Sequence, residues 1–422
     1  MAQHPQQDGN TLDSLAVILP LAVTGFVIAA GCWTLFAVAG VHLRAELALS
    51  NLQFGMLLAM PMAVSALLAI PAGLAAQRYG ARSVMLWCLS GLAVCMALLL
   101  AVNSFYGYLI VASGLGLAGG FYSAGLQFVV SHCDVKRLGL VLGVFGAGVT
   151  GAGFTYYLVP LFHSAFAWQG VPLAYLIVLL LVIALLLMLT EPDAADDSEA
   201  QDISLARIIT LLRRGRSFHL SIYFGVVAGS FFALALWLPD FLSAQFQLQL
   251  DAGARMAQWF VIPGALAQIV GGALSDRFGS SRVASRSLAL SLFALAVLSY
   301  PPMSLFIRGV DGTITIEFAL PLALEGGFIV LLGVAMGCAM GSLQRMVILA
   351  NRSEAALFAG LLLVIACSIA FVLPVLFGAV NQWLGVRTAV FMILFVLLSC
   401  SLLMFARDAR HEERRSLLHP GI

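Results

Sequence analysis

The sequence predicts an all-α polytopic membrane protein, on three observations. Of its 422 residues 62% are hydrophobic and only 10% charged. The mean hydropathy is +1.02, and the apolar residues fall into runs long enough to cross a bilayer. A soluble surface could not absorb that composition without large exposed apolar patches. A hydrocarbon core of roughly 30 Å needs about 20 apolar residues per helix, so the chain has room for twelve spans and little else.

Polar and Gly/Pro punctuation places the spans near 15–41, 52–76, 82–102, 105–131, 138–160, 169–190, 218–243, 253–275, 283–305, 326–346, 354–380 and 387–406. Residues 1–14 are polar and lack the basic segment, short apolar core and small-residue cleavage site of a signal peptide, so the first span is expected to be retained. The longest polar stretch, from Glu191 to Ser217, falls near the middle. It divides the chain into an N-terminal six-helix half (1–190), a cytoplasmic linker (191–217) and a C-terminal six-helix half (218–422). With the N-terminus inside, all but Arg44, Arg255, Arg308 and Arg387 of the 21 Lys and Arg lie on the cytoplasmic side. That asymmetry predicts cytoplasmic N- and C-termini and an even number of spans.

The net charge of +1 offers nothing to nucleic acid. The seven cysteines are scattered without the paired spacing of a metal site or a disulfide framework, and they read as small packing residues. No Gly-x-x-x-x-Gly-Lys-(Ser/Thr) loop is present, which argues against ATP-driven chemistry. No metal, no cofactor and no enzymatic activity are expected.

Two loops carry the same text. After span 2 stands Gly73-Leu-Ala-Ala-Gln-Arg-Tyr-Gly80-Ala-Arg82, and after span 8 stands Gly272-Ala-Leu-Ser-Asp-Arg-Phe-Gly279-Ser-Ser-Arg282, a step of 199 residues from Gly73 to Gly272. A duplication of this kind is how many transporters are built, with the binding site between the repeats near the midplane. Arg78, Asp276 and Arg277 are the charged members of the two motifs.

The loops resemble the signature of the major facilitator superfamily, matched at Gly73, Leu74, Ala75, Arg78, Tyr79 and Gly80. Gln77 stands where that family has Asp; the second copy keeps the acid as Asp276. Within the superfamily, the glycine-rich stretches 118–125 and 139–153, with a weaker echo at 337–346, resemble the nitrate/nitrite porters. The resemblance implies twelve helices in two pseudo-symmetric six-helix bundles. It also implies an anion clamp of one arginine in span 2 and one in span 8, where this chain has Ala69, ahead of Ile70-Pro71, and Gln268. The internal repeat supports that alignment, since Ala69 and Gln268 are also 199 residues apart. A guanidinium pair grips a planar oxyanion through directional, charge-assisted bonds that neither alanine nor glutamine reproduces.

Ionisable residues within the bilayer are costly and usually functional, and spans 1, 4, 5, 7 and 11 have none at mid-span. The charges stand at the edges: His132, Asp134, Asp240, Glu325 and Arg345. Arg345 either snorkels to the interface or points into an inward-facing cavity. Cavity-lining candidates are Gln268 above all, then Trp33, Phe36, Tyr122, Gln127, Tyr156, Phe232 and Trp237, with Ala69 at the alignment position. Gly139, Gly143, Gly146 and Gly153 share one face of span 5, and Gly333, Gly337 and Gly341 one face of span 10, for close helix packing or a gliding surface. Pro61, Pro71, Pro263 and Pro374 fall inside spans and are expected to kink them.

The expected function is a secondary transporter, monomeric in the lipid bilayer of a bacterial-type inner membrane, moving a small solute by alternating access. The cargo is open between a small anion of the nitrate/nitrite type and a neutral or amphipathic metabolite that is exported. A third reading is a sensor or assembly factor that keeps the transporter fold without flux.

Overall fold

A computed structural model describes residues 15–191, 215–301, 303–308, 313–318 and 320–418. Among the described residues twelve helices are long and apolar enough to cross a membrane: α1 (Leu15–Gly40), α2 (Leu52–Tyr79), α3 (Ala81–Leu99), α4 (Phe105–Ser131), α5 (Val135–Phe166), α6 (Trp168–Leu189), α7 (Gly215–Gln245), α8 (Asp251–Phe278), α9 (Ser280–Leu298), α10 (Leu322–Ala350), α11 (Ala355–Trp383) and α12 (Ala389–Arg410). They form two pseudo-symmetric six-helix bundles. Most of the expected linker, residues 192–214, lies outside the described residues. Hereafter the motif end is the end at which the loops after α2 and α8 lie, and the far end is the other.

Lipid as solvent explains the surface. Leu67, Met188 and Leu403 are 74%, 77% and 71% exposed, which in water would be a liability and in hydrocarbon costs nothing. In α7 94% of an 18-residue apolar window is buried, against 33% of such a window in α6 and in α9. The first is therefore central and the other two form the rim.

Both motif loops reduce to a single residue between helices. Gly80 and Gly279 have φ of 86° and 88° with ψ of 140° and 132°, a region only glycine occupies without strain. That requirement accounts for the recurring glycine after the Arg-aromatic pair.

Glycine also sets the packing. A Cβ on Gly143 would stand 2.5 Å from the Gln268 carbonyl, and Cβ atoms on Gly139, Gly146 and Gly153 would run into α8 at less than 3.0 Å. On the other side of α8, Gly333, Gly337 and Gly341 lie against the carbonyls of Phe260, Gly264 and Gln268. α8 is thus clasped between two glycine faces, where helix backbones touch without intervening side chains. The symmetric crossing is looser: Gly73 and Gly360 bring α11 against α2, where Cβ atoms would meet the Ala356 and Ala69 carbonyls at 2.7 and 2.9 Å.

Three helices are broken near mid-span. α1 is interrupted at Thr34, α4 at Gly116, and α5 by a 3-10 turn at Ala147–Val149. Such breaks expose backbone groups that need partners in a membrane. The Ser65 hydroxyl, on α2, supplies one by donating to the Gly116 carbonyl at 2.9 Å.

The ninth span was expected to run to residue 305; it ends at Leu298. Pro301 and Pro302 cannot continue a helix. The chain instead forms an antiparallel hairpin, β1 (Met303–Arg308) and β2 (Thr313–Phe318), registered from Met303 opposite Phe318 to Arg308 opposite Thr313. Its signal was in the sequence, as the β-branched run Thr313-Ile-Thr-Ile316 directly after Asp311-Gly312.

Replacing Gly337 by Ala is expected to lower the thermal midpoint in detergent by several degrees, because the added methyl meets the Gly264 carbonyl and overpacking costs about 1–3 kcal/mol. Gly326→Ala, on the same helix with open space around it, should leave the midpoint unchanged or raise it.

Candidate functional site

Polar contacts between the bundles fall into three levels along the pore axis. At the motif end, Asp276 leaves α8 and reaches the other bundle. Its carboxylate accepts the backbone N–H groups of Gly139 at 3.1 Å and Leu140 at 2.9 Å, at the start of the helical part of α5. A helix start presents free N–H donors and the positive end of the dipole, so a carboxylate there is doubly favoured. Arg345, on α10, donates from Nε to the same carboxylate at 2.6 Å and from Nη1 to the Ser280 hydroxyl at 3.0 Å. The pair is largely buried, with the arginine side chain 16% and the carboxylate 13% exposed. Arg352 donates to the Cys133 carbonyl, adding a link between the α4–α5 connection and the chain before α11. Together these close the motif end.

The first motif copy does something else. Gln77 and Arg78 are exposed, and the Arg78 guanidinium lies 5.4 Å from the Tyr79 ring centroid. Arg82 turns inward to donate to the Thr190 hydroxyl at 2.7 Å and the Leu187 carbonyl at 3.2 Å, tying α3 to the end of α6. Arg277 is exposed. The gating contact is therefore one-sided, carried by the copy that kept its aspartate.

The middle level contains amides, hydroxyls and aromatic rings. Gln268 is 2% exposed and donates from Nε2 to the Gly146 carbonyl at 3.1 Å, at the break in α5. Gln344 donates from Nε2 to the Tyr122 hydroxyl at 2.9 Å, while its Oε1 is buried and without a hydrogen-bond partner. The Trp33 indole donates to Ser65 at 2.7 Å and its ring meets Phe232 edge-on, with centroids 5.5 Å apart. Phe26 packs against Trp33, Tyr122 and Phe145. Tyr156 donates to the Ala235 carbonyl and so ties α5 to α7.

The structure thus brings Trp33, Tyr122, Tyr156, Phe232 and Gln268 together in one layer to which both bundles contribute, and it separates the rest. Phe36 packs on Tyr108 inside the first bundle. Ala69 is fully buried at the crossing of α2 and α11. Gln127 is half-buried further along α4 toward the motif end, Arg345 is in the motif-end lock, and Trp237 lies at the far end against Phe377. Gln344, Ser65, Phe26 and Phe145 belong to the layer and were not singled out from sequence. The rule that flagged Gln268, a primary amide inside a span, applies equally to Gln344.

At the far end Arg44, on the helical stretch Leu35–Glu46 that carries α1 past Gly40, forms an ion pair with Asp240 of α7 at 3.2 Å. With both ends closed around the middle layer, the conformation is occluded.

This architecture agrees with what the chain resembles. The family model described as Major Facilitator Superfamily matches residues 21–350. A protein of Thermus thermophilus described as a probable nitrate/nitrite antiporter, NarK1, is 29% identical over 399 residues, covering 92% of this chain and 90% of that one. A probable nitrate/nitrite transporter of Mycobacterium tuberculosis H37Rv, NarK2, is 30% identical over 294 residues, covering 68% and 73%. Among solved structures, a bacterial homologue of the lysosomal transporter Spinster, inward-facing and occupied, superposes with a TM-score of 0.69 at 15% identity, covering 94% of this chain and 97% of that one. FucP, in the outward conformation, superposes with a TM-score of 0.67 at 15% identity, covering 93% and 99%. On the family match over residues 21–350, the shared fold and these relatives, the chain belongs to the Major Facilitator Superfamily of membrane transporters.

Proposed function

We propose that this chain exchanges small monovalent anions of the nitrate/nitrite type across a bacterial inner membrane, binding them in the middle layer between the two bundles. The observation that carries the reading is the convergence of neutral donors from both bundles, Gln268, Gln344 and Tyr122, at a level closed off from either end. The names of the relatives support the cargo class. Ala69 and Gln268 remove the positive charge from the positions where the porters it resembles hold two arginines. Amide and phenol donors bind an oxyanion less tightly than guanidinium groups, so the cargo is held by fewer and weaker bonds and leaves more readily.

Alternating access follows from the two closures. The halves 1–190 and 218–422, joined by 191–217, rock about the middle layer while the motif-end lock and the Arg44–Asp240 pair open in turn. The motif end faces the cytoplasm with both termini, in keeping with the excess of Lys and Arg there, and the chain works as a monomer surrounded by lipid. The rings of Phe26, Trp33, Phe145 and Phe232 around the amides favour a second reading, export of a neutral or amphipathic metabolite, since apolar walls with few polar groups suit such ligands.

In proteoliposomes, nitrate/nitrite exchange should be measurable. Gln268→Leu and Gln344→Leu should each raise KM about tenfold or more, the loss of a hydrogen bond to a charged group being worth roughly 1.5–3 kcal/mol. Absence of anion exchange together with efflux of amphipathic compounds would favour the second reading.

Asp276→Asn should release the motif end, because it weakens the bonds to Gly139, Leu140 and Arg345 together. Cys133 is 4% exposed beside that lock and provides a native reporter. Its modification by a maleimide, located by peptide mass mapping, should speed up about tenfold, as expected for loss of a charge-assisted network, while exchange slows.

A further inference from the structure

We propose that the far end holds a capture site for a small monovalent anion, set between Arg44 and Arg387 ahead of the middle layer; the proposal rests on the anion reading of the cargo. A cavity of about 270 Å³ opens there, lined by Arg44, Phe54, Trp237, Asp240, Asn381 and Arg387. At roughly 30 Å³ per water in the liquid, it accommodates a four-atom anion with part of its hydration shell.

The charges suit that occupant. Among the described lining residues two guanidinium groups face one carboxylate, one positive charge in excess. Asp240 engages Arg44 at 3.2 Å. Arg387, supplied by the chain between α11 and α12, has its Nη1 buried and without a hydrogen-bond partner among the described residues. A buried guanidinium nitrogen left unpaired is costly, and an oxyanion bound there would satisfy it. Asn381 adds an amide donor, and the Phe54 ring lies 5.2 Å from the Arg44 guanidinium, limiting where that side chain can go. Few basic residues stand at this end of the chain, yet Arg44 and Arg387 both border this cavity.

The position gives the site a second consequence. Arg44 and Asp240 bridge the helical extension of α1 and α7, one from each bundle. An anion that docks on Arg44 competes with Asp240 and loosens that bridge, so cargo arriving from the far side weakens the closure standing between it and the middle layer. The capture site supplies the charge that the middle layer lacks, at the mouth where an anion from solution is first met.

The test is titration calorimetry of sodium nitrate into the purified full chain at constant ionic strength, with proteoliposome exchange measured in parallel. Arg387→Gln should weaken nitrate binding about tenfold or more. Asp240→Asn should strengthen it severalfold, because the competing carboxylate is gone, and a misfolded protein cannot produce that gain. Arg255→Gln, an exposed charge at the same end outside the cavity, should change neither. Wild-type affinity in both Arg387→Gln and Asp240→Asn would overturn the capture site even if exchange is intact. Nitrate binding that responds to the two substitutions as expected, without any nitrate or nitrite exchange, would sustain the capture site and overturn the transport reading instead.

Discussion

The structure depends on how closely α8 can approach its neighbours. With glycine faces of α5 and α10 on either side, its backbone carbonyls take the place that side chains occupy at ordinary helix contacts. In lipid there is no hydrophobic gain to be had from burying leucine between helices, so van der Waals contact along smooth backbones carries the association. The clasp also holds α8 in register with α5, which sets Gln268 beside the break in α5 and Asp276 over the start of that helix. Both the middle layer and the motif-end lock are consequences of this one placement.

Charge is distributed by the same solvent. Ionised groups at mid-bilayer are expensive, and the charged contacts that bridge the bundles sit at the two ends, Asp276 (held by Arg345) on the Gly139 and Leu140 N–H groups and Arg44 on Asp240. Between them the bundles meet through amides, hydroxyls and rings, which can be separated and rejoined without stranding a full charge in hydrocarbon. A transporter that must part its halves at each end in turn benefits from having strong, breakable contacts where water can reach them, and weak ones at the centre.

The two-fold repeat is unequal in a way that bears on mechanism. Gly73 and Gly272 are repeat equivalents, as are Ala69 and Gln268, and each bears on the helix opposite. Yet only the second copy has an aspartate to cap the facing helix, and only the second has a polar side chain at the middle position. Gln77 and Ala69 leave the crossing of α2 and α11 without a polar latch. The α5–α8 contact therefore carries the directional interactions, and the α2–α11 contact is left as an apolar bearing.

The amino-acid sequence by itself determined the twelve spans, the duplication and the candidacy of Gln268, because each rests on local pattern: run length, a recurring motif, an amide in an apolar run. The glycine after each Arg-aromatic pair was equally legible, as a positive φ demands it. Locally, at the hairpin after α9, the signal of two prolines and the β-branched run Thr313–Ile316 was present and outweighed by hydropathy. Only the tertiary structure decided the partners. Arg345 and Asp276 are 69 residues apart and Asp276 and Gly139 are 137 apart, and nothing in the pattern of either segment specifies the other. Gln344 joins Tyr122 across 222 residues for the same reason: which face of a helix meets which neighbour is set by the packing of the whole bundle, and every span in lipid is apolar on most of its faces.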